Sequence, residues 1–278
     1  MSGAAPAAPD EDLLHRVEGG VARLTLNRPD AGNALTPSQR DRLIDRLAEA
    51  SADLAVRVVV LGATGRHFCT GADLRADRSG GPPLPDGAPE RPVGSVGRMI
   101  ATGAQRLVAA VLDCDKPVIA AVNGTAAGIG AHLAFACDLV VALDTARFIE
   151  VFVRRGIVPD GGGAYLLPRL VGLQRAKELM FLGDDLSAGE AARIGVVSRV
   201  VPAGEFEATV AGLAARLADG PTVALSLMKR LANRSFESDR VTAFAEEAMA
   251  QEITMNSVDA TEGVASFVER RPTRFVGW

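Results

Sequence analysis

An α/β core followed by a helical C-terminal region is the fold class this sequence predicts, on three observations. The apolar runs VRVVVLGA at 56–63 and VIAAV at 118–122 are continuous rather than alternating, as strands covered on both faces are. Each gives way to a turn containing glycine, and helical periodicity follows. From about Glu205 the strands stop, and EFEATVAGLAARLAD, TVALSLMKRLANRSF and VTAFAEEAMAQEITM read as helices. The expected division is a loose N-terminal tail at 1–12, an α/β core at 13–204 and a helical region at 205–278. At roughly 150 residues per domain, 278 residues are ample for a sizeable core.

The elements follow in order. Leu13 to Leu26 holds two β-type runs around Gly19-Gly20, the pattern of a hairpin. Thr36-Pro37-Ser38 supplies an N-cap with proline at the first helical position, and Leu43, Ile44, Leu47 and Ala48 give that helix one buried face. A Pro- and Gly-rich break covers Asp77 to Gly97, either a mobile lid or a disordered excursion. Helix resumes near Val96 and runs to about Leu112, where Lys116-Pro117 closes it and opens VIAAV. The pattern then repeats, with a helix at Gly130–Ala136 and a strand at Asp138–Ala142.

Composition narrows the function. Lys plus Arg is 30 against 34 for Asp plus Glu, a net charge of −4, which offers no field for nucleic acid or an anionic membrane. Cys69, Cys114 and Cys137 form no CxxC pair and have no histidine at zinc-like spacing; they read as reduced thiols of a cytoplasmic protein with no metal site. The start, MSGAAPAAPDED, lacks the basic and apolar regions of a signal peptide. Pro117–Leu143 is long enough for a membrane span, but Asn123-Gly124, Gly128, Gly130, His132 and Asp138 divide it into strand, turn and helix.

Two segments carry chemistry. HFCTGADL, 67–74, has the look of a strand, a glycine turn and a helix whose first turn includes Asp73. Unpaired N–H groups at such a start are donors for an anion or a developing oxyanion, though a plain capped helix has the same appearance. AVNGTAAGIGAHLAFACDLVVA, 121–142, repeats the device. It is not a dinucleotide fingerprint, because Leu133 stands where the third glycine belongs, and no Gly-Lys-Ser/Thr follows for a phosphate loop. Two such turns can each lend one backbone donor to a single oxygen.

That arrangement resembles the crotonase superfamily, the enoyl-CoA hydratase/isomerase family, over nearly the whole chain. TLNRPDAGNAL is similar to the family's N-terminal coenzyme A segment, and FCTGADL and AVNGTAAGIGAHLAFACDL to its two oxyanion-hole turns. GIVPDGGGAYLLPRLVG is similar to the region beside the acyl chain, LSAGEAARIGVVSRVVP to the lead into the helical tail, and EGVASFVERRPTRF to the C-terminal helix. The resemblance implies a crotonase-like ββα spiral core and a C-terminal helical region that mediates a homotrimer, often a dimer of trimers. It implies acyl-CoA thioester substrates, with coenzyme A entering as part of the substrate and no separate cofactor. By motif position the oxyanion donors are the N–H groups of Ala72 and Ile129, which would stabilise a thioester enolate by several kcal/mol. Ala31, Ala34, Asp73 and Leu74 fall in the coenzyme A segments, and Phe267 and Arg270 on a neighbouring subunit's last helix. Asp30 replaces a lysine found in some members; a carboxylate cannot make that phosphate contact, so either other arginines such as Arg28 serve or binding is weaker.

The chain departs from the family's hydratases, which hold a water between two glutamates. His132 occupies the first of those positions and Phe152 the second, while Glu150 falls two residues early and would point elsewhere along an extended segment. Asp160, in VPDGGG, falls where isomerases of the family place an acidic residue facing the α and γ carbons, although Pro-Asp-Gly-Gly is also an ordinary turn. His132 is either an assisting polar group or second base, since imidazole suits proton shuttling, or a core histidine. The expected activity is enoyl-CoA isomerisation. Its alternatives are hydration with a non-standard acid/base set and non-catalytic acyl-CoA binding.

Overall fold

The computed structural model describes residues 11–76, 85–89 and 92–278. Most of the tail expected at 1–12, and part of the break expected at 77–97, lie outside them. Residues 11 and 12 are already anchored: Glu11 C=O accepts from Asn27 Nδ2 at 2.6 Å, and the Asp12 carboxylate pairs with Arg42.

The hairpin is formed by β1 (Leu13–Glu18) and β2 (Val21–Leu26), antiparallel in register Glu18↔Val21. Gly19 and Gly20 have φ of +56° and +78°, the left-handed pair a two-residue hairpin turn needs. α1 (Pro37–Ala52) starts where expected, with Thr36 accepting from the Gln39 N–H. Its buried face uses Leu43, Ile44, Leu47 and Ala50, whereas Ala48 is exposed. β3 (Val58–Ala63) and β4 (His67–Cys69) follow. The helix expected from Val96 to Leu112 is α2 (Ser95–Ile100), a π-helical turn at Ala101–Gln105 and α3 (Arg106–Leu112). Gly103 lies in that irregular turn, close against the Arg40 guanidinium.

β5 (Val118–Val122), β6 (Thr125–Ala127) and α4 (Ile129–Ala136) form the next repeat. β7 (Leu139–Leu143), β8 (Arg147–Ile149) and α5 (Gly163–Val171) form the one after. α6 (Leu173–Leu182), β9 (Asp185–Ser187), α7 (Ala188–Arg193) and β10 (Arg199–Val201) complete the α/β part. Each pair β3/β4, β5/β6 and β7/β8 divides between two sheets, ordered β1-β2-β3-β5-β7-β10 and β4-β6-β8-β9. The chain therefore winds strand, strand, helix around two sheets, the ββα spiral the resemblance implies.

Burial explains the continuous apolar strands. On β3, Val59 and Leu61 face the main core with Leu43, Leu47 and Leu107, while Val58 and Val60 face a second cluster. Fully burying such side chains is worth about 1.5–3 kcal/mol each, so a strand covered on both faces has no place for alternating polar residues. The second cluster is closed by Phe206, Val210 and Leu213 of α8 (Ala203–Ala218). The helical region drawn from residue 205 thus contributes its first helix to the core.

α9 (Thr222–Arg234), α10 (Arg240–Met255) and α11 (Val258–Glu269) follow. α9 is fastened by buried Lys229, whose Nζ lies 2.9 Å from Asp138 and donates to Val111 C=O at 2.8 Å. The last residues fold back on α11: the Asp259 carboxylate accepts from the Val276 and Gly277 N–H groups at 2.7 and 2.8 Å, and Arg57 donates to Phe275 C=O. No helix among the described residues is long and apolar enough to cross a membrane.

Candidate active site

The two donor turns lie just beyond the ends of neighbouring parallel strands. β4 pairs with β6, and Ala72 and Ile129 come three and two residues after their last residues, Cys69 and Ala127. A Cβ added to Gly130 would stand 2.2 Å from the Cys69 carbonyl oxygen, so only glycine permits this approach of the two backbones. Ile129 is the first residue of α4, and its N–H has no acceptor one turn back within the helix.

The first donor is made differently from expectation. The chain through Ala76 does not become a helix after Gly71; Ala72 forms an isolated parallel bridge with Leu35. Leu35 N–H donates to Gly71 C=O and Asp73 N–H donates to Leu35 C=O, both at 2.9 Å. Because backbone groups alternate along extended chain, Ala72's own N–H points away from Leu35. It donates to no protein acceptor among the described residues. A long-range bridge, rather than a helix start, holds this donor.

The N-terminal segment is tied to the same turn. Arg28 donates to Ala34 C=O at 2.6 Å and to the Asp73 carboxylate at 2.9 Å. Burial pushes the Asp73 carboxyl up, but the Arg75 N–H and the Arg28 guanidinium outweigh it and hold the group below its ordinary value. Arg28 is therefore engaged in shaping this loop. Ala31 is exposed at the end of a short 3₁₀ turn, Ala34 is half-buried and Leu74 is exposed.

Asn33 organises the loop and was not among the expected site residues. It is fully buried with φ of +54°; its Nδ2 donates to Thr64 and His67 carbonyls at 2.9 and 2.7 Å, and its Oδ1 accepts from the Arg28 N–H. An Asn directly after glycine in Pro-Asp-Ala-Gly-Asn is the available signal, since Asn tolerates the left-handed region best after glycine.

The third wall comes from the segment after β8. Extended structure ends at Ile149, and Phe152 takes helical dihedrals of −61° and −46° ahead of a 3₁₀ turn at Val153–Arg155. The bend brings Glu150 and Phe152 to the same place. The Glu150 carboxylate does not point elsewhere: both its oxygens lie 3.1 Å from His132 Nε2. Phe152 stacks on the imidazole, centroids 5.1 Å apart and planes 12° apart. His132 is completely enclosed. Asp160 is partly exposed, and the next residue, Gly161, rests on Ile129: a Cβ there would lie 2.4 Å from Ile129 Cδ1. Asp160 thus stands beside the start of α4.

Cys69 lies in β4 next to the first turn, yet burial pushes its thiol up to about 12, so it is no nucleophile at neutral pH. Phe267 and Arg270 are exposed on and just after α11, and no hydrogen bond among the described residues joins either side chain to the site.

Two backbone N–H groups without a partner among the described residues, at the ends of paired strands in a ββα spiral, are an arrangement that can stabilise an oxyanion. The chain belongs to the enoyl-CoA hydratase/isomerase family, whose model matches residues 16–277. It is 38% identical over 269 residues to the 1,2-epoxyphenylacetyl-CoA isomerase of Escherichia coli K12, covering 96% of this chain and 99% of that protein. It is 34% identical over 267 residues to the crotonyl-CoA hydratase of Syntrophomonas wolfei, with coverage of 96% and 98%. The crystal structure of an enoyl-CoA hydratase from Bacillus anthracis superposes with a TM-score of 0.86 at 30% identity, over 96% of this chain and 100% of that one.

Proposed function

We propose that this protein is an enoyl-CoA isomerase that moves a double bond through a thioester enolate. One observation carries the reading: the positions of the hydratase glutamates hold His132 and Phe152, stacked and buried, while Asp160 is the carboxylate beside the α4 donor turn. In this mechanism the acyl-CoA carbonyl oxygen lies between the Ala72 and Ile129 N–H groups. Asp160 removes a proton from the α or γ carbon as charge moves onto that oxygen, then returns it to the other carbon. One carboxylate suffices for such a transfer, whereas adding water across the double bond needs a second group to orient the water. The relative named an isomerase supports the reading; those named hydratases make hydration the alternative.

Turnover of matched 2-enoyl and 3-enoyl thioesters tests it. Interconversion of the two without water addition is the expected result. Hydration of the 2-enoyl thioester as the faster reaction would assign the alternative, and binding without turnover would make the protein a carrier.

The functional unit in this proposal is a homotrimer or a dimer of trimers. Val241, Phe244, Met249, Ile253, Phe267 and Val268 are each more than half exposed, an apolar surface unusual for a monomer. Covering it with a second copy would also place Phe267 and Arg270 at a neighbour's coenzyme A site. Deleting residues 260–278 is expected to weaken assembly and coenzyme A affinity together. A full-length chain that light scattering finds monomeric at micromolar concentration would contradict this.

A further inference from the structure

We propose that Glu150 and His132 form a buried positioning pair that fixes the glycine turn after Asp160 and so sets where the Asp160 carboxylate stands. The inference rests on Asp160 being the proton-transfer group. His132 is fully buried and Glu150 is 4% exposed, yet the two ionisable groups face one another at the centre of the α4, β8 and α5 junction. Burying such a pair usually gains nothing over apolar side chains of the same volume. What distinguishes this pair is what its ring touches.

The imidazole edge runs along the turn. A Cβ added to Gly161 would lie 3.1 Å from His132 Nδ1, and one added to Gly163 would lie 2.2 Å from Nε2. The backbone of 161–163 therefore rests directly on the ring, and Asp160 is the residue that enters it. The ring's own orientation is set twice, by both Glu150 oxygens at Nε2 and by the Phe152 ring stacked on its face. With Nε2–H donating to Glu150, the imidazole cannot flip without losing this bond.

The same ring stands one helical turn from Ile129, whose side chain also packs on Gly161. One imidazole thus joins the helix that presents the second oxyanion donor to the turn that presents the base. The His132 side chain is fully buried: Nε2 faces Glu150, and Nδ1 is buried against the turn with no hydrogen-bond partner among the described residues. It acts through Asp160.

The test is a double-variant cycle on 3-enoyl thioester isomerisation by the full-length protein, with thermal melting recorded for each variant. Glu150→Ala is expected to lower kcat about tenfold and leave KM within about twofold, since displacing a catalytic group by a fraction of an ångström costs rate more than affinity. Glu150→Gln, whose Oε1 still accepts from Nε2–H, is expected to bring kcat back to within about threefold of the parent. In an Asp160→Asn background, Glu150→Ala should cost nothing more. Should the alanine variant fail to fold, Glu150→Met, apolar and of similar length, takes its place in every comparison. A folded Glu150→Ala or Glu150→Met protein with parental kcat overturns the inference. So does a glutamine variant as slow as the alanine one, or a full tenfold loss added on top of Asp160→Asn. If Asp160→Asn alone runs at the parental rate, the base assignment fails first; a slow Asp160→Asn with a fast Glu150→Ala removes only the pair.

Discussion

Ala72→Pro is expected to lower kcat by about 10²- to 10³-fold, or roughly 3–4 kcal/mol of barrier, the usual loss when one oxyanion donor is removed. Proline deletes the N–H at this position and little else. The two hydrogen bonds that hold the turn to Leu35 use the Gly71 carbonyl and the Asp73 N–H, and neither is touched by the change. An extended residue accommodates proline's fixed φ, and the side chain of Ala72 is exposed, so the added ring meets no packed core. Because the missing donor acts on charge that develops during reaction, kcat should fall far more than affinity for the thioester changes. Circular dichroism and the melting temperature report whether the fold survives. A folded Ala72→Pro protein with unchanged turnover would remove the N–H of Ala72 from the oxyanion site.

The sequence disclosed this architecture wherever the cause was local. Gly19-Gly20 needs only its own φ angles to make a hairpin, Thr36-Pro37 caps and starts α1 by itself, and the double-sided burial of β3 is written in its unbroken apolar run. The glycine turn into α4 was legible for the same reason. What stayed hidden depends on residues far apart in the chain. The helix expected after Gly71 is replaced by a bridge to Leu35, and Asp73 answers to Arg28, 45 residues away. Glu150 was misdirected because extended geometry was carried past Ile149; once the chain bends there, the side chain reaches His132. Periodicity likewise shows that α8 has an apolar face but not which surface receives it, the second cluster that Phe206, Val210 and Leu213 close.

Asp160→Asn is expected to lower the isomerisation rate by 10² or more, about 3 kcal/mol of barrier, with thioester affinity nearly unchanged. The amide keeps the size and most of the hydrogen bonding of the carboxylate and loses only its ability to take a proton. Stability should also be little affected, because the side chain is partly exposed and makes no ion pair among the described residues. The size of the loss follows from subtraction at the site. Phe152 has no acid or base to offer, and His132 and Glu150 are buried against each other, so neither stands ready to replace Asp160. The oxyanion donors still polarise the thioester in the asparagine variant, which leaves a residual rate above the uncatalysed one and makes the variant measurable. Exchange of the α-proton for deuterium from solvent isolates the step: it should slow in parallel with double-bond migration, since both begin with the same abstraction. If Asp160→Asn keeps its rate while His132→Ala loses it in a folded protein, the imidazole is the base and the buried pair must open during turnover to expose it.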